Sequence, residues 1–167
     1  MSNYTTVLSV LDDMVSTTKK NDKIAILESV KGSNVEEAVK RTFNLAYDKR
    51  ISFFIKSWDE ATEDVNASTE EAETTLDQAY DFLVDKIASR EITGNTAREA
   101  IQSVYKSIRP VEDAETFKRV VLRDLRCGAS ASTANKVFPG LVYVHPYMRC
   151  SSFTEKNLKK INLELSL

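Results

Sequence analysis

The chain of 167 residues has the length of one domain, and a content of 42% hydrophobic and 29% charged residues can fill and solvate one core. Four glycines and three prolines exclude a sheet of many strands joined by tight turns, so we predict long helices. The formal net charge of −2 excludes a uniformly basic surface, and two isolated cysteines with one histidine exclude a tetrahedral zinc site.

The first part of the chain has three stretches with helical periodicity. Apolar residues recur at helical spacing over residues 5–16 and 23–30, and again behind Ser33. Ser33 and Glu36 have the spacing of a capping box, which predicts the start of the third helix. We expect this helix, or a second helix after a kink, to continue through Trp58.

The middle of the chain predicts a loop and then a helix. Residues 59–73 contain seven acidic side chains and little apolar material, which is typical of a solvated loop. Ser68 and Glu71 form another capping-box pattern. The apolar residues from Leu76 to Ile87 follow one helical stripe, so this helix should pack on the core.

Three more helices are predicted in the second half. The first starts at Thr96 and ends before Pro110, because proline disfavours helical geometry in the residue that precedes it. The second runs from residue 115 to 127 and is followed by Gly128, which we expect in the left-handed conformation. The third is short and covers residues 132–138.

The predicted architecture is all-α: a compact helical bundle over residues 1–145 and a short extended tail over residues 146–167. The chain has no apolar run of membrane-spanning length, and its first residues do not resemble a signal peptide. We therefore expect no membrane partner and a cytoplasmic protein, with both Cys127 and Cys150 as reduced thiols.

The charge is distributed unevenly along the chain. Residues 1–90 contain 11 Lys and Arg against 17 Asp and Glu, whereas residues 91–167 contain 12 against 8. A basic half favours a polyanionic partner, although solvated helix faces produce the same asymmetry.

The sequence RDLRCGASASTANKVFPG at 123–140 is the main candidate for a binding site. On a helix that ends at Gly128, the side chains of Arg119, Arg123 and Arg126 would share one face. Small residues follow, and serine and threonine at the next helix start would offer amides to an anion. This pattern predicts a phosphate-binding site; the alternative is an ordinary turn between two helices.

A second turn has a similar composition. Thr93, Gly94 and Asn95 precede a predicted helix and are flanked by Arg90 and Arg98. This turn predicts a second helix start that could face an anion.

Four stretches, in order along the chain, resemble one protein family. They are AYDKRISFFIKSW at 46–58, REITGNTAREAI at 90–101, LRDLRCGASASTANKVFPGL at 122–141 and MRCSSFTEKNLKKI at 148–161. Together they resemble the N-terminal DNA-binding domain of the ATP-dependent DNA ligases of T-even-type bacteriophages. The resemblance implies an all-α module that binds duplex DNA around a nick, through phosphate and minor-groove sugar contacts, in replication, repair and recombination.

The resemblance also implies which residues contact DNA. In the first group, these residues are Arg123, Arg126, Gly128, Ala129, Ser130, Ser132, Thr133 and Lys136. In the second group, they are Thr93, Gly94 and Asn95.

One departure from the family limits the expected activity. The family's adenylated lysine lies in a Lys-x-Asp-Gly motif, and this sequence contains no Asp-Gly dipeptide. We therefore expect no ligation by this chain alone, no catalytic residue and no metal site. ATP and Mg²⁺ would belong to the adenylation and OB domains, toward which residues 146–167 would lead.

Two interpretations of the function remain at this stage. The first is sequence-independent binding of duplex or nicked DNA by a monomer, in the host cytoplasm if a phage encodes the chain. The alternative is a ligase-derived helical module that docks on phage or host replication and repair proteins. The acidic loop at residues 59–73 and the acidic first half of the chain favour the alternative.

Overall fold

A computed structural model describes residues 4–58 and 73–144, and the secondary structure in both ranges is helical. In chain order, the helices are α1 (Val7–Ser16), α2 (Lys20–Val30), α3 (Glu36–Tyr47), α4 (Leu76–Phe82), α5 (Gly94–Ser107), α6 (Val111–Val121) and α7 (Ala131–Val137). The predicted all-α class is confirmed. The predicted tail at 146–167, Cys150, the capping box at Ser68 and nearly all of the acidic loop lie outside the described residues.

The first two helices match the predicted periodicity. α1 begins where the Thr6 hydroxyl accepts a hydrogen bond from the backbone amide of Ser9 at 3.3 Å, which caps the helix. Its buried residues are Val7, Val10, Leu11 and Met14. This spacing gives α1 one apolar face, which packs on α2 and α6.

The predicted capping box at Ser33 and Glu36 is wrong. The residue at the N-cap of α3 is Val35, which makes no side-chain cap. Instead, the Ser33 hydroxyl donates to the carbonyl oxygen of Val30 at 2.6 Å, and the Glu36 carboxylate accepts from the Gly32 amide at 2.7 Å. Both side chains close the turn between α2 and α3, where Gly32 has a φ of +79°.

The prediction that a helix continues through Trp58 is also wrong. α3 ends before this segment, and residues 48–58 contain no helix. The guanidinium of Arg123 binds the carbonyl oxygens of Asp48 and Ile51. The Asp48 carbonyl oxygen also accepts from the Ile51 amide at 3.1 Å, which is the bond of a turn and not of an α-helix. The apolar residues of this stretch therefore lie in an irregular segment, in which Phe53 is buried.

The predicted stripe from Leu76 to Ile87 is confirmed. Its cap is a different residue from the predicted one: the Thr75 hydroxyl accepts from the Gln78 amide at 3.3 Å, and the Gln78 side chain accepts from the Thr75 amide at 3.1 Å. After α4, the chain continues as a π-helical segment, Leu83–Ala88.

The later helices agree with the predictions except at three ends. α5 starts at Gly94, two residues before the predicted Thr96, and α7 lies within one residue of its predicted bounds. α6 starts at Val111, four residues before the predicted residue 115, and ends at Val121 and not at Cys127. The next residues cannot extend it, because Arg123 has a φ of +57°, outside the right-handed helical region.

α6 is the central helix of the described bundle. It packs against α1, α3, α4 and α5, while α2 packs against α1 and α7. The side chains of Phe117, Val120 and Val121 are fully buried, and burying each of them contributes about 1.5–3 kcal/mol to folding. None of the helices in the described ranges has the length and apolarity needed to cross a bilayer.

Candidate functional site

The segment between α6 and α7, residues 122–130, is held in place by polar contacts with the end of α3. The Arg123 guanidinium donates from Nε to the Ala46 carbonyl oxygen at 3.2 Å and from Nη2 to the Asp48 carbonyl oxygen at 2.6 Å. Nη1 donates to the Ile51 carbonyl oxygen. Burial lowers the pKa of the Arg123 guanidinium from its usual range. The side chain therefore points into the protein and joins two segments far apart in sequence.

The predicted row of three arginines on one helix face is wrong. Arg119 lies within α6, largely buried, and its Nε donates to the Glu115 carboxylate at 3.1 Å. Arg123 points inward, and Arg126 follows the helix end in a left-handed conformation with a φ of +51°. The row required a helix through Cys127, and this helix ends earlier. Among the three, only Arg126 is exposed.

Gly128 has the predicted left-handed conformation, with a φ of +62°. A Cβ atom at this position would lie 2.5 Å from the Nζ atom of Lys23 on α2. Lys23 is only 7% exposed, and its Nζ donates to the carbonyl oxygen of Cys127 at 2.7 Å. The left-handed backbone therefore favours glycine at position 128, and a Cβ atom there would also displace the buried ammonium group of Lys23.

Sequence analysis did not identify the role of Lys23. The spacing of the sequence does indicate that Lys23 is buried, because it lies four residues before Leu27 and seven before Val30, on the buried face of α2. A lysine in an apolar stripe indicates a buried charge that needs an acceptor. Only the tertiary structure shows that this acceptor is a carbonyl oxygen of the 122–130 segment.

α3 contacts the same segment through Tyr47. Its hydroxyl donates to the carbonyl oxygen of Ala129 at 2.9 Å and lies 3.8 Å from the Sγ atom of Cys127. Burial raises the pKa of Tyr47 above its usual value, so the phenol stays protonated and can donate. Ala129 is half-buried, and its carbonyl oxygen already accepts this bond.

The start of α7 exposes some of the predicted contact residues and buries one. The hydroxyl groups of Ser130 and Ser132 are exposed and lie 2.8 Å apart. Lys136 is exposed, whereas Thr133 is 3% exposed and packs in the core. We call the exposed set the α7 surface; it comprises Arg126, Gly128, Ser130, Ser132 and Lys136.

The charged atoms of the α7 surface are available to a partner. The Arg126 guanidinium and the Lys136 ammonium group make no ion pair with any described residue, whereas Arg41, Arg50 and Arg119 each have a carboxylate partner. The acidic side chain of Asp124 accepts a hydrogen bond from the backbone amide of Arg126 at 3.0 Å. The α7 surface therefore presents two cations and two hydroxyl groups to solvent.

The second predicted contact is exposed throughout. Thr93, Gly94 and Asn95 form the start of α5, and a Cβ atom added to Gly94 would meet nothing within 4 Å. Arg90 and Arg98, on either side, are exposed as well. Within the described residues, no group of three His, Cys, Asp or Glu side chains could hold a metal ion.

Comparisons with known proteins agree with the predicted resemblance. No protein-family model matches the chain. The DNA ligases of Enterobacteria phages T4 and T6 are each 36% identical to it over 157 residues, which is 92% of this chain and 30% of each ligase. The chain thus spans less than a third of the length of these relatives.

Two solved structures have a similar fold. The structure named Pmar-Lig_PreS3 matches 84% of this chain and 32% of its own, with a TM-score of 0.67 and 23% identity. The structure named Pmar-Lig_Pre matches 80% of this chain and 29% of its own, with a TM-score of 0.65 and 24% identity. The sequence identity of 36% extends over 92% of the chain, and the fold is shared as well. We conclude that this protein is related by sequence to T-even phage DNA ligases, over a part that makes up 30% of their length.

Proposed function

We propose that this chain binds duplex DNA, nicked or intact, without sequence preference, as the DNA-binding part of an ATP-dependent DNA ligase architecture. The observation that carries this proposal is the 36% identity to phage DNA ligases over 92% of the chain. The exposed cations of the α7 surface are consistent with it.

The α7 surface supplies groups that suit a DNA backbone. Arg126 and Lys136 would pair with phosphates, and the hydroxyl groups of Ser130 and Ser132 would donate to phosphate or sugar oxygens. The absence of a side chain at Gly128 lets a strand approach the protein backbone closely. Such contacts orient a protein on DNA but carry no sequence information, which is why we propose binding without sequence preference.

Two of the predicted contact residues would act indirectly in this proposal. Arg123 directs its donors to carbonyl oxygens of the protein, and Thr133 is buried. Both would hold the 122–130 segment and α7 in position beneath the α7 surface. The second contact, at Thr93, Gly94 and Asn95, would add a phosphate site at the start of α5.

The proposal assigns no strand joining to this chain. The sequence contains no Asp-Gly dipeptide and hence no Lys-x-Asp-Gly motif. ATP and Mg²⁺ would act in the catalytic domains of a complete ligase. A binding domain would contribute by holding nicked duplex near those domains.

Arg126→Glu tests this proposal. We expect affinity for a nicked duplex to fall about tenfold or more, because one phosphate contact is replaced by a repulsion. Fluorescence anisotropy of a labelled duplex, nicked or intact, at about 50 mM salt measures this change. The thermal midpoint should stay within about 2 °C, because the side chain is exposed.

The control variant is Lys106→Glu, in the last turn of α5. It changes the net charge equally but lies outside both predicted contacts, so affinity should change less than threefold. If the wild-type chain failed to bind duplex at low salt, the proposed function would be wrong. If Arg126→Glu and Lys106→Glu had equal effects, the α7 surface would not be the contact.

A further inference from the structure

Phe54 and Arg90 form an exposed stacked pair that is not among the proposed contacts. The Phe54 side chain is 56% exposed, and the guanidinium carbon of Arg90 lies 4.4 Å from the centre of its ring. Phe54 has a φ of +57° and Arg90 a φ of +62°. Bulky residues rarely adopt this conformation, which costs each about 1–2 kcal/mol. The fold thus holds both residues at an energetic cost, with the ring facing solvent.

A groove lies beside this pair, between residues 53–55 and the start of α5. Its cavity has a volume of about 310 Å³. The floor is apolar, because Phe53, Ile87 and Ala97 are all buried. The rim is polar and exposed; it consists of Arg90, Thr93, Gly94, Asn95 and Arg98. An adjoining cavity of about 490 Å³ shares Asn95 and Arg98 and is also lined by Trp58.

The charges around the groove favour an anion. Arg90 and Arg98 contribute two guanidinium groups, and α5 directs the positive end of its dipole to the same rim. Of the acidic residues nearby, Glu91 is paired with Lys86 at 2.5 Å, and Glu99 lines the adjoining cavity. A ligand that combines an anionic group with an apolar face would match the rim and the exposed ring together.

We propose that this groove binds one strand of the duplex, with a phosphate between Arg90 and Arg98 and the adjacent deoxyribose or base face against Phe54. The inference rests on the proposed DNA binding and extends the second contact, at the start of α5, by an apolar anchor with a different chemistry. Exposed apolar side chains next to arginines are a recurring means of gripping DNA without reading its sequence. Arg90 would have two roles: its cation–π contact orients the Phe54 ring, and its guanidinium group faces the phosphate.

Phe54→Ala and Arg90→Gln test this site through their different dependence on salt. Phe54→Ala should weaken duplex binding roughly fivefold or more and leave the slope of log K against log salt unchanged, because it removes no charge. Arg90→Gln should weaken binding and reduce the magnitude of that slope by about 0.9, the value for one phosphate contact. Phe54→Tyr keeps the ring and should restore affinity.

Each variant has a matched control. Val111→Ala removes exposed apolar surface at the start of α6, away from the groove. Lys106→Gln removes one charge from α5 at a distance of about 18 Å from Gly94, calculated from the rise of an α-helix. Both should change affinity less than twofold. If Phe54→Ala and Arg90→Gln behaved like these controls while Arg126→Glu weakened binding, the groove would not contact DNA, although the proposed function would stand.

Trp58 reports on the groove from close by, since it is the single tryptophan of the chain and lines the adjoining cavity, which shares Asn95 and Arg98 with the groove. Its fluorescence should change when saturating duplex is added to the wild-type chain and to Arg126→Glu. An unchanged emission, with anisotropy showing that DNA is bound, would overturn the groove assignment. A lack of any anisotropy change at low salt would instead overturn DNA binding itself.

Discussion

Arg123 and Lys23 are two cations whose charge is used inside the protein. Arg123 bonds three carbonyl oxygens at the end of α3, and Lys23 bonds the carbonyl oxygen of Cys127. Sequence analysis expected Arg123 to contact DNA and did not identify the role of Lys23, because a single sequence does not reveal which backbone carbonyls lie within reach. Both residues stabilise the segment that presents Arg126 to solvent.

Arg123→Gln should lower the free energy of unfolding by roughly 1.5–3 kcal/mol, because partly buried carbonyl oxygens at residues 46, 48 and 51 lose a charged donor. Arg126→Gln should change it by less than about 0.5 kcal/mol, because that side chain is exposed. Urea denaturation followed by circular dichroism measures both values. Equal effects of the two substitutions would contradict the role of Arg123 in joining the 122–130 segment to the end of α3.

Gly128→Ala and Gly140→Ala separate backbone strain from steric conflict. Both glycines have a left-handed φ, so each alanine should cost about 1–2 kcal/mol. Only at Gly128 does the new Cβ meet another atom, the Nζ of Lys23, so Gly128→Ala should cost a further 1–3 kcal/mol or so. Thermal unfolding measures the difference. In a Lys23→Met background this further cost should shrink, and an unchanged cost would show that Lys23 is not its source.

At the scale of helices, the sequence predicted which segments are helical better than it predicted where they end. Burial of an apolar stripe depends on local spacing, and α1, α4, α5 and α7 follow it. Helix ends depend on competing partners for the terminal amides and carbonyls. Ser33 had the right capping spacing but bonds backward to Val30, while Thr75 makes the reciprocal pair.

Thr75→Ala should therefore lower the free energy of unfolding by about 1 kcal/mol, because the first turn of α4 loses its cap. Thr96→Ala is the control: sequence analysis placed the start of a helix at Thr96, but α5 starts at Gly94, so this threonine caps nothing. Its replacement should change stability by no more than about 0.5 kcal/mol. Chemical denaturation of the two variants measures both changes, and equal effects would contradict the assignment of Thr75 as the cap of α4.

At the scale of the whole molecule, DNA binding has to overcome a slightly negative net charge. The chain carries a formal charge of −2, so attraction to DNA must come from local cations and not from the overall field. The α7 surface and the start of α5 are the two such places that the proposal uses. Binding limited to a few phosphate contacts should be weak and strongly dependent on salt.

We expect a dissociation constant of roughly micromolar order near physiological salt for the wild-type chain. With roughly four to six phosphate contacts, log K should fall against log salt with a slope of about −4 to −5. Anisotropy titrations at several salt concentrations, on two duplexes of unrelated sequence, measure the slope and the sequence preference. A slope near zero, or a strong preference for one duplex, would contradict phosphate-dominated binding.

The sequence by itself determined the helical class, most helix positions, the left-handed Gly128 and the relationship to T-even phage DNA ligases. These features depend on local periodicity, on glycine geometry and on residues that relatives share in order. Only the tertiary structure decided that α6 ends at Val121, that Arg123 and Thr133 face inward, and that Phe54 faces solvent beside Arg90. The physical reason is that a polar group bonds to the nearest available partner in space, and the sequence does not show which distant segment brings that partner.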